Sequence, residues 1–107
     1  MPKYVFAYHG GGMPESEEEQ AKHMAAWGEW MGAIGAAFVD PGAPCSIAKT
    51  VTRGGVSDGG GANPISGYGL VEAAYLDAAV EMAKGCPIVT LSDGSVEVAE
   101  TFEVNMG

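Results

Sequence analysis

The sequence predicts an α+β fold, a ferredoxin-like βαββαβ sandwich whose antiparallel sheet has the strand order 4-1-3-2. Two segments are apolar on both faces at a period of two residues, as strands in the centre of a sheet are. Two other segments repeat apolar residues at helical spacing. The chain has 107 residues, of which 47% are hydrophobic and 18% charged, so we expect one domain over residues 1–107.

The opening segment, Lys3–His9, is the first strand without a polar face. Period-two alternation gives it one aromatic face and one face of small residues that ends in a histidine. We therefore expect this strand at the centre of the sheet, with a cover on each face. The two faces consist of Tyr4, Phe6 and Tyr8 and of Val5, Ala7 and His9.

A helix is predicted to begin at Ser16, because Glu19 follows it at the spacing of a capping box. The helix should end near Ala37, before a cluster of turn formers at residues 40–44. A row of glycines along it predicts close approach to the sheet or to a partner helix. The predicted buried stripe is Met24, Trp27, Met31 and Ile34, and the glycines are Gly28, Gly32 and Gly35.

The middle of the chain predicts two strands and a loop. Residues 46–53 have the pattern of a partly exposed edge strand, and the glycine-rich residues 54–64 are typical of a long hairpin loop. Residues 65–73 carry little charge on either face, which predicts a strand beside the first one.

The last third predicts a helix and an edge strand. Leu76, Ala79 and Ala83 lie at helical spacing, and Gly85 ends the helix. Residues 95–104 alternate as a half-exposed edge strand, whereas residues 87–91 fit either a brief strand or an irregular segment.

The charge of the chain argues against several partners. Fourteen acidic and five basic residues give a formal net charge of −9, which repels nucleic acids and anionic headgroups. No apolar run is long enough for a membrane span and no signal sequence is visible, so we expect a cytosolic protein. Both cysteines, Cys45 and Cys86, are expected to be reduced.

The predicted architecture leaves one sheet face without a helix. Two helices cover one face of a four-stranded sheet, and the other face would expose a large apolar patch. We therefore expect a symmetric homodimer with sheets packed face to face, the dimeric α+β barrel arrangement.

His9 is a candidate acid–base residue, since it ends a central strand beside Gly10–Gly12, where a ligand could approach the backbone. The alternative is a structural role, in which His9 bonds a neighbouring backbone group or carboxylate. His23 lies on the first helix, next to the apolar stripe, and faces either a cleft or solvent.

Other chemistry finds little support in the sequence. The glutamates at the helix start repel a phosphate, and no Gly-Lys-Ser/Thr motif follows the glycines. An esterase oxyanion loop would require a G-x-S-x-G elbow, which is absent. Histidines and cysteines lack metal-ligand spacing, so we expect no metal and no cofactor.

Several motifs together resemble the YCII-related, or DGPF-domain, family over nearly the whole chain. They are the K-Y-V-F-A-Y-H strand, the tryptophan-containing helix, V-S-D-G at residues 56–59, the G-Y-G-L-V-E-A strand and G-S-V-E-V at residues 94–98. The resemblance implies a ferredoxin-like fold, a dimeric α+β barrel and a cleft whose reaction is mostly unassigned.

Two departures from the family pattern matter. The family's D-G-P-F signature corresponds here to Asp58-Gly59-Gly60-Gly61, which lacks both the proline and the phenylalanine. Some relatives carry a histidine on the first helix, which His23 matches roughly, and an aspartate after the second helix, which residues 84–87 do not supply.

These observations predict a small protein that binds an organic molecule in a cleft, with acid–base catalysis by His9 or His23 as the enzymatic form of that hypothesis. Tyr8, Asp58 and Tyr68 are the candidate lining residues. The alternative is a non-catalytic interaction module without a small-molecule site.

Overall fold

A computed structural model describes residues 1–12 and 15–104. Helices and antiparallel strands are both present, so the predicted α+β class is confirmed. The elements are β1 (Lys3–His9), α1 (Glu17–Ile34), β2 (Phe38–Pro44), β3 (Lys49–Thr52), β4 (Gly55–Asp58), β5 (Ile65–Glu72), α2 (Leu76–Lys84), α3 (Pro87–Thr90) and β6 (Ser95–Glu100).

Four strands form the main sheet in the order β2-β5-β1-β6. Each neighbouring pair is antiparallel. The first strand pairs with β5 on one side and β6 on the other, so its predicted central position is confirmed. A strand paired on both edges satisfies its backbone within the sheet, which suits a segment with two apolar faces.

The core lies between the aromatic face of β1 and the helices. Tyr4, Phe6 and Tyr8 are buried, and Trp30 of α1 stacks on Phe6 with the ring centroids 6.2 Å apart. The Trp30 indole N–H donates a hydrogen bond to the Met82 carbonyl of α2 at 2.9 Å. One side chain therefore joins both helices over the same face of the sheet.

The start of α1 is confirmed, because the Glu19 N–H donates to Ser16 Oγ at 3.1 Å. The predicted stripe is confirmed in part: Trp27, Met31 and Ile34 are partly buried against the core, whereas Met24 is 69% exposed. Trp30, which was not in the predicted stripe, is the buried residue of the helix. The helix ends at Ile34, and a short 3-10 turn follows before β2. The buried face of α1 includes Trp30 because both tryptophans of the helix, Trp27 and Trp30, pack against the aromatic face of β1.

The glycines of α1 do not approach the sheet. Apart from its chain neighbours and its own helix backbone, a Cβ added to Gly28 or Gly32 would meet no atom of the described residues within 4 Å. The predicted close approach to the sheet is therefore wrong, whereas approach to a partner helix stays a prediction.

The prediction of a turn at residues 40–44 is wrong, because these residues belong to the edge strand β2. The predicted edge strand at residues 46–53 does not join the main sheet. Proline is tolerated in an edge strand because one side of the strand needs no ladder hydrogen bond. Register shifts around Asp40 and Ala43 accommodate the intervening Pro41 and Gly42. Edge pairing with β5 overrides the local turn propensity of this segment.

The predicted hairpin loop at residues 54–64 contains a strand. This strand, β4, pairs with β3 in a separate two-stranded sheet, in which Val51 lies opposite Val56. Both valines are largely exposed, at 76% and 66%. The alternating pattern of residues 46–53 therefore reports a local hairpin rather than an edge of the main sheet.

The end of the chain also differs from the prediction. In the part of the chain that the structure describes, the last strand pairs with β1 alone, as an edge strand should, but it stops at Glu100 rather than residue 104. Phe102, which lies within the predicted strand, is outside β6 and 83% exposed. Residues 87–91, left open from the sequence, contain the one-turn helix α3.

Among residues 1–12 and 15–104, no helix covers the second face of the sheet. Val5, Ala7 and Leu70 are half-buried there, and Tyr68 is 43% exposed. The register aligns Val5 with Leu70 and Ala7 with Tyr68, so these side chains form one apolar surface. None of the helices in the described residues is long and apolar enough to cross a bilayer.

Candidate functional site

A cleft separates α1 from β2 on the helix side of the sheet. Gly67 of β5 lies on its floor, and Gly67 and the neighbouring Gly69 both face the helices. A Cβ at Gly69 would lie 2.8 Å from the Phe38 ring and 3.2 Å from the Tyr8 hydroxyl. Because Gly67 and Gly69 have no side chains, the rings of Tyr8 and Phe38 pack directly against the β5 backbone, and the cleft remains open beside them.

The inner chamber of the cleft has a volume of about 480 Å³ and an almost wholly apolar lining. Trp27 meets Tyr8 edge to face, with their ring centroids 5.1 Å apart. Met24 and Met31 of α1 form the same wall, and residues 41–44 of β2 form the opposite one. Met24 is exposed because it lies at the rim of this chamber.

A middle chamber of about 370 Å³ adjoins the inner one, and the two share Trp27, Pro44, Ser66 and Ile88. Ser66 is the extra residue of a β-bulge, because Tyr8 pairs with Gly67 whereas His9 pairs with Ile65. Its hydroxyl oxygen is buried and has no hydrogen-bond partner among the described residues. The chamber is completed by Gly10, Gly11, Gly12, His23, Cys45 and Ser92.

The outer chamber, of about 680 Å³, is open and acidic. Glu15, Glu19 and Asp93 line it together with His23. His23 Nε2 lies 3.9 Å from Glu19 Oε2, one helical turn away. The His23 side chain is 21% exposed and borders both the outer and the middle chamber.

The glycine loop forms the mouth of the cleft. Gly11 has a φ of +88°, and a Cβ there would lie 2.8 Å from Ile88 Cγ1. The loop can therefore lie directly on the α3 segment, which brings Ser92 and Asp93 to the same opening. The left-handed conformation and the close approach both require glycine.

Two buried groups near the cleft hold their protons at neutral pH. Burial raises the pKa of the Tyr8 hydroxyl, and the nearby Cys86 sulfur raises it further. Burial also raises the pKa of the Cys86 thiol to about 11. Tyr8 is therefore a neutral hydroxyl at the cleft wall, and Cys86 is an unreactive thiol.

His9 lies on the other side of the sheet. Its Nδ1 is 3.1 Å from the Asn63 carbonyl oxygen and 3.2 Å from that of Pro64, and its Nε2 is 3.2 Å from Glu97 Oε1. All three partners are acceptors, so only the doubly protonated ring donates to both sides. This geometry corresponds to the structural interpretation of His9, and its acid–base role stays a prediction.

The structure does not bring all the candidate residues together. Tyr8 and His23 line the cleft, and Tyr68 borders its inner chamber while its side chain follows the uncovered face. Asp58 lies on β4, where it pairs with Lys49 at 2.9 Å. Neither Asp58 nor His9 is among the described residues that line the three chambers.

Several cleft residues were missed in the sequence. Ser66, Cys45 and Asp93 come from three separate segments and meet only through the sheet pairing and the position of α3. The one local signal for the cleft was the pair Gly67 and Gly69 on either side of Tyr68, which leaves one face of this strand without side chains. Within residues 1–12 and 15–104, no three His, Cys, Asp or Glu side chains are grouped to hold a metal ion.

Comparison with known proteins found no matching family model and no matching curated protein. The resemblance to the YCII-related family therefore stays a prediction that rests on the motifs of the sequence.

Proposed function

We propose that this chain is a small cytosolic protein that binds an organic molecule in the cleft between α1 and β2. The observation that carries the proposal is the chambered cleft itself, in which an apolar space of about 480 Å³ adjoins a more polar one. Small-molecule sites typically combine an apolar lining with a few polar groups from several elements. A filled interior would have favoured the alternative, a non-catalytic interaction module.

His23 is the proposed acid–base residue of this site. It lines the middle and outer chambers, and its Nε2 lies 3.9 Å from Glu19 Oε2. A neutral imidazole has one nitrogen that can accept a proton from a ligand. The resemblance to the YCII-related family supports this role, since some relatives carry a histidine on the first helix.

Asp93 is the proposed second carboxylate of the site. The family resemblance implies an aspartate after the second helix, and residues 84–87 contain none. Asp93 follows α3 and lines the outer chamber together with His23. Its negative charge would stabilise an imidazolium formed on His23 during proton transfer.

The two cysteines offer a direct test of cleft occupancy. Cys45 is exposed and lines the middle chamber, whereas Cys86 is buried and has a raised pKa. We expect iodoacetamide to modify Cys45 much faster than Cys86. A metabolite that raises Tm in a thermal-shift screen should also slow modification of Cys45, because it occupies the same space.

Matched histidine variants complete this test. The stabilisation by such a metabolite should shrink in His23→Ala and persist in His9→Ala, since only His23 lines the cleft. An unchanged stabilisation in His23→Ala, together with unprotected Cys45, would place the ligand elsewhere. If no compound raises Tm or protects Cys45, the interaction-module alternative is favoured.

We further infer that the main sheet with α1 and α2 is a ferredoxin-like unit that carries the β3–β4 hairpin as an insertion. The order β2-β5-β1-β6 supports this inference. Counted along the chain within that sheet alone, the strands read 4-1-3-2 from the β6 edge.

A homodimer through the uncovered sheet face is part of the proposal. The apolar surface of Val5, Ala7, Tyr68 and Leu70 supports it, because a second copy would bury the same surface on both sides. We expect a dimer in sedimentation at micromolar concentration, and a monomer for Leu70→Glu. The control Val56→Glu lies on the exposed hairpin and should remain dimeric. A monomeric wild type would contradict the homodimer.

A further inference from the structure

We infer that the ligand of the cleft has a flat apolar body and a positively charged end, as an aromatic amine does, and that the cleft discriminates against carboxylates and phosphates. This inference rests on the proposed function and specifies the ligand class of the same site. It follows from two features of the cleft: the apolar lining of the inner chamber and the negative charge of the outer one.

The inner chamber is suited to an aromatic ring. Tyr8 and Trp27 present ring surfaces, and Met24 and Met31 add polarisable sulfur atoms. Pro41 and Pro44 form a rigid opposite wall. An apolar ligand in this chamber is stabilised because its surface and that of the lining are removed from water. The lining offers few hydrogen bonds, so a sugar or another polyol would lose its bonds to water without gaining others.

The mouth of the cleft is negative. Glu15, Glu19 and Asp93 line the outer chamber, and no lysine or arginine is among the described residues that line any of the three chambers. The formal net charge of −9 adds a field of the same sign. An ammonium group placed near these carboxylates is attracted, while a carboxylate or phosphate at the same place is repelled.

Three probes that share one phenol ring test this inference: tyramine, which is cationic, tyrosol, which is neutral, and 4-hydroxyphenylacetate, which is anionic. Binding is measured by calorimetry at low ionic strength and by protection of Cys45 from iodoacetamide. We expect tyramine to bind at least about tenfold more tightly than 4-hydroxyphenylacetate, with tyrosol between them. The ratio should fall as salt is added.

Charge variants locate the origin of the preference. Glu19→Gln and Asp93→Asn should each reduce the ratio of tyramine to 4-hydroxyphenylacetate affinity. Glu103→Gln removes the same charge from an exposed residue outside the cleft lining and should leave the ratio nearly unchanged. An equal loss in all three variants would overturn the assignment to the mouth and leave only the field of the whole protein.

The outcomes separate this inference from the proposed function. If 4-hydroxyphenylacetate binds as tightly as tyramine and protects Cys45, the ligand class is overturned while the cleft remains a binding site. If none of the probes binds but another screened compound protects Cys45, the ligand class is also overturned. If nothing protects Cys45, both proposals fail.

Discussion

Replacing Trp30 by alanine is expected to lower the free energy of unfolding by about 3–5 kcal/mol. Trp30 is only 8% exposed, stacks on Phe6 and meets Phe38 edge to face with ring centroids 5.5 Å apart. Its indole N–H also donates to the Met82 carbonyl. The substitution removes a large ring from the core and leaves the contact between α1 and α2 without its central side chain.

Urea unfolding followed by far-UV circular dichroism measures this effect without relying on tryptophan fluorescence. Trp30→Phe should recover most of the loss, except for about 1 kcal/mol from the missing hydrogen bond. Met24→Ala is the control on the same helix and should cost less than about 1 kcal/mol, because Met24 is 69% exposed. A larger effect at Met24 than at Trp30 would mean that α1 presents its other face to the core.

Gly42→Ala is expected to destabilise the protein by at least about 2 kcal/mol and to detach β2 from the sheet. Gly42 has a φ of +68°, and a Cβ there would overlap the Tyr68 carbonyl oxygen. The Gly42 N–H also donates to Asp40 Oδ1 at 2.9 Å, which holds the local turn within the strand. Relief of the overlap requires β2 to move away from β5, and this movement opens the inner chamber.

Denaturant unfolding gives the stability change, and hydrogen exchange of the β2 and β5 amides gives its location. Gly28→Ala makes the same chemical change within the helix α1, where the new Cβ would meet no described atom within 4 Å outside its own helix backbone and chain neighbours. It should stabilise the protein by up to about 1 kcal/mol. If Gly42→Ala were as harmless as Gly28→Ala, the close contact between β2 and Tyr68 would be wrong.

The segments predicted well are those in which local pattern and tertiary role agree. Ser16 caps α1 because the capping bond is formed within one turn of the chain. Lys3–His9 becomes the central strand because its two apolar faces exclude an exposed position. These features depend on neighbours a few residues away, so the sequence carries them directly.

The segments predicted wrongly are those in which pairing overrides local preference. Pro41 and Gly42 favour a turn, yet β2 runs through them because β5 offers an open edge. Residues 46–53 alternate like a sheet strand, yet they pair with β4 because that partner is nearest in the chain. Which partner a strand finds is a long-range property, and local alternation does not encode it.

The candidate site divides along the same line. Tyr8 and His23 were candidates from the sequence, where an aromatic strand and a histidine beside an apolar helical stripe are visible, and both line the cleft. Ser66, Cys45 and Asp93 reach the cleft only through a β-bulge, an edge strand and the loop after α3. Each of these positions is decided by contacts between distant segments.

The sequence by itself determined the α+β class, the central strand, the start of α1 and the acidic character of the chain. Only the tertiary structure decided that the helices cover the aromatic face of β1, that His9 faces away from the cleft and that His23 lines it beside Glu19 and Asp93. The physical reason is the distance along the chain over which the deciding interactions act. Helix caps and strand periodicity arise from interactions within a few residues, whereas a cleft is the space left when strands and helices far apart in the chain pack together.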